Sequence, residues 1–395
     1  MTDTMHISGE PARGFHVLPP LAFYIHIPWC ARKCPYCDFN SHEAHAAIPE
    51  MDYVNALILD LEQALPLIWG RKIHSIFFGG GTPSIFSPDA IDRILSAVRA
   101  RVPLIYETEI TLEANPGTVD KARFAGFRDA GVNRLSVGIQ SFNNRHLAVL
   151  GRIHDAAQAR SAAERALEIF GNVNLDLMYA LPQQTLDEAL DDVRAAVALS
   201  PSHLSCYHLT LEPNTQFHHA PPPLPDDDTS AAMQEALENL LAESGYLHYE
   251  TSAFAKSFKD NRCRHNLNYW QFGDYLGIGA GAHSKLSFHD RVIRQSRYKH
   301  PASYLQKTAT GEHIEQEQIL RSADLAFEFM MNALRLTEGF EKSLFEERTG
   351  LPFSAVSEPL REAEAMGLIR QDATKIAPTL RGQRYLNELL QMFLG

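Results

Sequence analysis

The chain has 395 residues, enough for two or three domains at roughly 150 residues each. Hydrophobic residues make up 45% and charged residues 21%, which excludes a wholly disordered chain, a collagen and a coiled coil. With 36 Lys plus Arg against 48 Asp plus Glu, the net charge of −12 argues against a surface that coats nucleic acid.

No window approaches the run of about 18 apolar residues that a membrane-spanning helix needs. The oiliest region, Val54 to Trp69, is interrupted by Asp60, Glu62 and Gln63. The first twenty residues hold Asp3, Glu10 and Pro11 and no apolar signal core, so a cytoplasmic protein is expected.

From residue 21 short β-branched and aromatic runs alternate with helical patterns. The strands are predicted at Leu21 to Ile27, Ile73 to Phe78, Glu107 to Glu113, Arg134 to Ile139, Val173 to Met178 and Leu204 to Leu211. Between the first two, Met51, Val54, Leu57, Ile58, Leu61 and Leu65 recur at helical spacing. Pro88 and Asp89 open a second helix, and Thr185 followed by Glu188 forms a capping box for another. Such alternation implies parallel βαβ units closed or partly closed into a barrel, with a doubly wound open sheet as the alternative. In either architecture ligands gather at the carboxyl ends of the strands. Cys30, Gly79 to Thr82, Glu113, Asn115 and Gln140 fall there, and Asp176 sits within strand five.

Pro213 to Asp228, with three prolines and three aspartates in a row, reads as an exposed loop. A helix is predicted from about Ser230 to Ser244, then Gly- and aromatic-rich sequence through Ser284. Helical patterns return at Ala323 to Leu336, Phe340 to Arg348 and Ser354 to Met366, followed by a hairpin and a terminal helix from Thr379. This mostly helical tail has a winged-helix-like arrangement. Its nine basic and eleven acidic residues disfavour DNA and favour a lid or docking role.

Of five cysteines, Cys30, Cys34 and Cys37 lie within eight positions, directly after the first strand. In an intracellular protein that density points to metal or redox chemistry rather than disulfides. Three thiolates can hold three irons of a [4Fe–4S] cluster, leaving one iron open to a small molecule. A structural zinc site with His42 as fourth ligand fits the spacing equally well. Location favours the cluster, because the loop sits at the mouth of the predicted barrel.

The CxxxCxxC signature resembles that of the radical S-adenosylmethionine (SAM) superfamily. The resemblance narrows to the oxygen-independent coproporphyrinogen III oxidase-like branch and covers most of residues 20 to 390. Its carriers are Tyr24 to Cys30 (YIHIPWC), Gly79 to Pro83 (GGGTP), Glu113 to Gly117 (EANPG), Leu135 to Phe142 (LSVGIQSF), Gly151 to His154 (GRIH) and Asp176 to Pro182 (DLMYALP). Within the branch the chain is most similar to the HemW haem-chaperone group. The oxidase pattern has a further cysteine where this chain has Phe39, and the group's His-Asn-x-x-Tyr-Trp signature is present from His265 to Trp270.

The resemblance implies a partial (β/α)6 radical SAM barrel with a C-terminal, mostly helical winged-helix-like domain. It divides the chain into an extension (1–20), a barrel core (21–212), a barrel-completing and haem-binding region (213–319) and the tail (320–395). It implies that Cys30, Cys34 and Cys37 ligate the cluster and that SAM chelates the open iron. SAM contacts are expected at Tyr24, Tyr36, Gly80, Gly81, Thr82, Glu113, Gln140, Arg152 and Asp176. Glycines without side chains would let the backbone approach the cofactor closely. Glu113 and Asp176 suit ribose hydroxyls or an ammonium, and Arg152 suits a carboxylate.

Haem needs axial donors and cations for its propionates. The resemblance assigns His265, Tyr269 and Trp270 to haem; by residue chemistry Arg262 and Arg264 suit propionates or an ordinary charged surface equally, and Cys263, close to His265 in sequence, is a thiol for covalent attachment. Cys206, inside a strand, reads as core. Three functions compete: a haem chaperone delivering to acceptor proteins, including respiratory, membrane-associated ones; a radical SAM decarboxylase of coproporphyrinogen III; and a zinc-stabilised scaffold. The first is favoured, in the cytoplasm with transient peripheral membrane contact.

Overall fold

The computed structural model describes residues 14, 15, 17–256 and 261–394, so most of the expected 1–20 extension lies outside the described residues. Six strands follow in order: β1 (Leu21–Ile27), β2 (Ile73–Gly80), β3 (Leu104–Ala114), β4 (Arg134–Gln140), β5 (Val173–Tyr179) and β6 (His203–His208). All six pair in parallel with their neighbours. Connecting them on the outside are α1 (Glu50–Ala64), α2 (Pro88–Arg101), α3 (Lys121–Ala130), the short α4 (Asn144–Val149), α5 (Ala156–Ile169) and α6 (Leu186–Leu199). β1 and β5 are buried almost along their whole length, as parallel strands covered on both faces must be.

Local chemistry sets the boundaries. Ser87 accepts from the Ala90 N–H and Pro88 takes the first helical position of α2, where a missing N–H costs nothing. The reciprocal Thr185–Glu188 box opens α6 as expected.

The stretch beyond β6 is more ordered than its composition suggests. It contains α7 (Gln216–His219), α8 (Asp227–Glu243), β7 (Tyr246–Glu250), β8 (Ala253–Lys256), α9 (Arg264–Trp270), β9 (Asp274–Ile278), β10 (His283–Ser287), β11 (Val292–Arg297), α10 (Pro301–Thr310) and β12 (Ile314–Ile319). The predicted loop 213–228 is corrected: Thr215 caps α7, and Phe217 is buried against Leu150, Met178, Leu181 and Leu209. One aromatic amid polar residues was sufficient to anchor it.

The sheet runs β12-β11-β10-β9-β1-β2-β3-β4-β5-β6-β8-β7, with β9 parallel to β1 and the flanking strands antiparallel. Its two edges do not pair, so the barrel is partial rather than closed. Helix α9 packs on the strands through His265, which stacks on Phe77 and bonds Ser75 of β2. The antiparallel flank is tied back by Asp60 of α1, fully buried, which accepts from Arg297 (3.2 Å), Tyr304 (2.9 Å) and the Gly279 N–H (3.1 Å). A buried carboxylate with that many donors is tolerated because each oxygen is satisfied.

The C-terminal region begins with α11 (Ser322–Ala333). It continues through a three-stranded antiparallel sheet, β13 (Phe340–Glu341), β14 (Ile369–Gln371) and β15 (Lys375–Pro378), interleaved with α12 (Lys342–Thr349) and α13 (Ser357–Ala365). Phe329, Phe340 and Phe345 meet edge to face at its centre. Phe272 and Val292, from the sheet side, belong to the same core, and Arg384 forks onto Glu238 of α8 at 2.8 and 3.1 Å. Among the described residues no helix is long and apolar enough to cross a membrane.

Candidate functional site: a cleft above a chamber

The carboxyl ends of the parallel strands open into a cleft of about 610 Å3. Into it converge Cys30, Cys34, Tyr36, Cys37, Gly80, Gly81, Thr82, Glu113, Gln140, Arg152 and Asp176, from five different strands and their loops. Eleven of the expected cluster and SAM residues thus share one cavity.

The loop after β1 is pinned on both sides. Thr82 donates its N–H to the Trp29 carbonyl, His42 to that of Pro28 and Ala44 to that of Cys30. Cys30 is buried, and burial pushes its thiol and that of Cys37 above the ordinary range. Arg152 donates to the Cys34 Sγ at 3.6 Å and to the Gly138 carbonyl at 2.8 Å, holding a cation beside the sulfur.

Thiolate donors that rim one cleft, with a cation beside one of them, fit a polynuclear cluster whose net charge is negative. The zinc alternative would need His42 to join the three cysteines on one ion. Among the described residues no three His, Cys, Asp or Glu side chains converge on one metal-sized point. His42, the fourth ligand in that alternative, instead contacts Asn40 Oδ1 at 3.3 Å and lies edge-on to His300.

The glycines are packed tightly against β1. A Cβ on Gly80, at φ +118°, would lie 2.6 Å from the His26 ring, and one on Gly81 would lie 2.5 Å from the Trp29 carbonyl. Their missing side chains admit the neighbouring end of β1, and both residues line the cleft. Gln140 ends β4 at φ +68°, a left-handed conformation that a non-glycine residue adopts at some cost.

Beneath the cleft lies a second, smaller chamber of about 230 Å3. Glu113, Ser136, Asp176 and Tyr207 line both spaces and form the boundary between them. Burial first, and Asp176 second, push the Glu113 carboxyl up to about 8, and burial also raises Asp176. Asp176 accepts from Ser136 (2.9 Å) and Asn174 (2.7 Å). Asn174 in turn faces His203 at 2.6 Å, which reaches Tyr249 at 2.8 Å. A connected set of polar groups therefore fixes the carboxyl that the cleft presents.

Tyr24, expected beside SAM, lies in the chamber instead, its hydroxyl 3.1 Å from His26 Nδ1. His265 and Tyr269 are there too. His265 is 1% exposed, its Nδ1 sits 3.0 Å from Ser75 Oγ, and its Nε2 has no partner among the described residues. Burial and the nearby Arg134 lower its imidazole to about 3, so it is neutral. Trp270 faces away and carries Arg335 over its ring at 4.4 Å.

The chamber holds a few water-sized groups and is smaller than the cavities that enclose drug-sized ligands, so no macrocycle reaches His265 as packed here. The other haem expectations meet occupied groups. Arg262 pairs with Glu338 at 3.4 Å, and Arg264 donates to the Glu107 carbonyl at 3.1 Å. Cys263 is buried, and burial pushes its thiol up to about 12, away from the thiolate form. Cys206 is buried in β6, as expected of a core residue.

Arg134, Asn174, His203 and Tyr207 were missed. The signal was available, since Arg134, Ser136, Gly138 and Gln140, then Asn174 and Asp176, then His203, Ser205 and Tyr207 alternate with apolar residues along their strands. A larger groove of about 810 Å3 opens at the opposite end, between Pro19 to Leu21 and Glu346 to Pro352, and holds none of the expected residues.

Residues 24–196 match the radical SAM superfamily and residues 320–385 the HemN C-terminal domain. The chain is 50% identical to the Haemophilus influenzae protein named heme chaperone HemW, across 95% of this chain and 98% of that protein. It is 48% identical to the Escherichia coli protein of the same name, across 96% and 99%. The chain belongs to the HemW family. A mouse mitochondrial relative, radical S-adenosyl methionine domain-containing protein 1, is 34% identical across 98% of this chain and 90% of its own length. Among solved structures, coproporphyrinogen III oxidase (HemN) of Escherichia coli superposes with a TM-score of 0.81 over 95% of this chain and 90% of its own, at 23% identity. That likeness establishes a shared fold.

Proposed function

We propose that the protein is a haem chaperone of the radical SAM type, which binds haem, a [4Fe–4S] cluster and SAM and passes haem to acceptor proteins. The observation that carries this is the end-to-end similarity to proteins named as haem chaperones, at 48–50% identity. Cys30, Cys34 and Cys37 hold the cluster in this reading. Tyr36, Gly80, Gly81, Thr82, Glu113, Gln140, Arg152 and Asp176 receive SAM in the cleft above β1 to β5. Together the two groups supply one-electron cleavage of a sulfonium. Phe39 stands 62% exposed at the rim where the oxidase pattern has a cysteine, which supports the chaperone over the decarboxylase.

Haem ligation by His265, with Tyr269 and Trp270 beside it, demands an opening. Trp270 and Arg335 must part so that α9 is uncovered from the C-terminal side. Work takes place in the cytoplasm, with transient contact at the membrane where acceptors reside.

The test is haem titration of the cluster-loaded protein, followed by Soret absorption. Wild type should take up about one haem per chain, His265→Ala should bind it much more weakly, and Arg335→Ala should load faster. Equal affinity in His265→Ala would move the ligand elsewhere. Failure of wild type to bind haem would remove the chaperone reading.

A further inference from the structure

Arg134 opens β4 at the floor of the chamber and is 2% exposed. Among the described residues it makes no salt-bridge contact and its Nε–H has no acceptor, although Glu109 and Asp176 lie near enough to favour its charge. A guanidinium carries five donors and stays charged, so leaving it unpaired away from water is costly. The carboxylates nearest in the fold are already engaged. Glu109 is spent on the N–H groups of Arg264 and His265, at 3.1 Å each, and on the Cys263 thiol at 3.7 Å. Asp176 is held by Ser136 and Asn174. His265, which also lines the chamber, has a buried Nε2 without a partner among the described residues.

We propose that the chamber is a binding site for a small carboxylate, seated on the Arg134 guanidinium and reached from the cleft above. A planar fork of N–H groups matches two carboxylate oxygens. One cation faced by Glu113 and Asp176 suits a monoanion and would repel a phosphate dianion. Glu113, a neutral carboxyl near pH 7, adds a donor at the chamber's upper edge. The space, about 230 Å3, accommodates a carboxylate of a few carbons with its chain directed toward the cleft. The side of the chamber nearest the cleft is formed by Glu113, Ser136, Asp176 and Tyr207, the residues common to both spaces. The carboxylate has two sources of one chemistry, a free short-chain acid or the propionate arm of a macrocycle lodged in the cleft. Neither depends on His265 ligating iron.

The test uses the full-length, cluster-loaded protein and propionate labelled with 13C at the carboxyl carbon. Its resonance should shift saturably with wild type and not with methyl propionate in parallel. Arg134→Gln should weaken propionate by about 30-fold or more, the loss seen when one member of a buried charge pair is removed. Arg134→Lys, which keeps the charge, should retain part of the affinity if Arg134→Gln is too unstable to measure. Displacement of propionate by haem but not by haem dimethyl ester assigns the site to a propionate arm. No displacement by either assigns it to a free acid. Absence of saturable propionate binding in wild type, or unchanged affinity in a folded Arg134→Gln, overturns the proposal, while haem uptake by the same preparation reports on the chaperone reading independently.

Discussion

The cleft and the chamber beneath it are built from the same strands but by different means. The cleft is made by loops and strand ends: cysteines after β1, glycines at the end of β2, carboxyl-end residues of β3 and β4, Asp176 of β5, and an arginine beyond α4, each inside a short contiguous motif. The chamber is made by strand interiors, where one polar side chain in two points inward, and its members come from β1 to β6 and α9. Loop chemistry is exposed to cofactors and tolerates rearrangement, whereas chamber chemistry is interlocked. Asn174 alone touches Ser136, Asp176, His203 and Ser205. Function in the cleft should therefore be separable from stability, and in the chamber it should not.

The most decisive separation comes from Cys34→Ala. It should abolish the brown absorbance of the anaerobically loaded protein, while the unfolding free energy of the cluster-free protein moves by less than about 0.5 kcal/mol, because the side chain is half-exposed. Asn174→Leu should do the reverse. Stranding several buried partners should cost about 2–4 kcal/mol in urea unfolding, with cluster absorbance retained in the folded fraction. Loss of the cluster without loss of stability in that variant would merge the two regions.

Glu113 borders both spaces and should show a pH signature. Its carboxyl sits at about 8 against an ordinary 4.5, so the unfolded chain gives up a proton that the folded one keeps. Its contribution is present below pH 4.5 and is lost as pH rises toward 8. Glu113→Gln should flatten that decline in thermal midpoint measured across the window, and an unchanged slope would remove the assigned burial. The smallest effect belongs to Phe39→Ser at the cleft rim, where stability should change by no more than about 0.5 kcal/mol.

Legibility followed the same division. The six parallel strands were readable because burial on both faces forces near-continuous apolar runs, and the capped starts of α2 and α6 were readable because caps are local. The cleft residues were readable through contiguous motifs. What escaped was non-local. The antiparallel flank depends on Asp60 of α1 meeting Arg297 of β11, a pairing that spacing in the chain does not announce. Tyr24 and His265 read as ligand-facing, yet β1 and α9 turn them into the lower chamber. Arg134 read as a strand's first residue, and only the fold places its guanidinium in the chamber with Asn174 and His265, without a salt-bridge contact among the described residues.

The account rests on haem being carried and handed over. Its most direct test loads the cluster-bearing protein with one equivalent of haem, mixes it with a haem-free b-type haem protein and follows the Soret band. Transfer that is faster than from free haem, and that leaves the donor haem-free, is the predicted result. Haem that never binds stoichiometrically, or that binds and is not released to any acceptor, would contradict it.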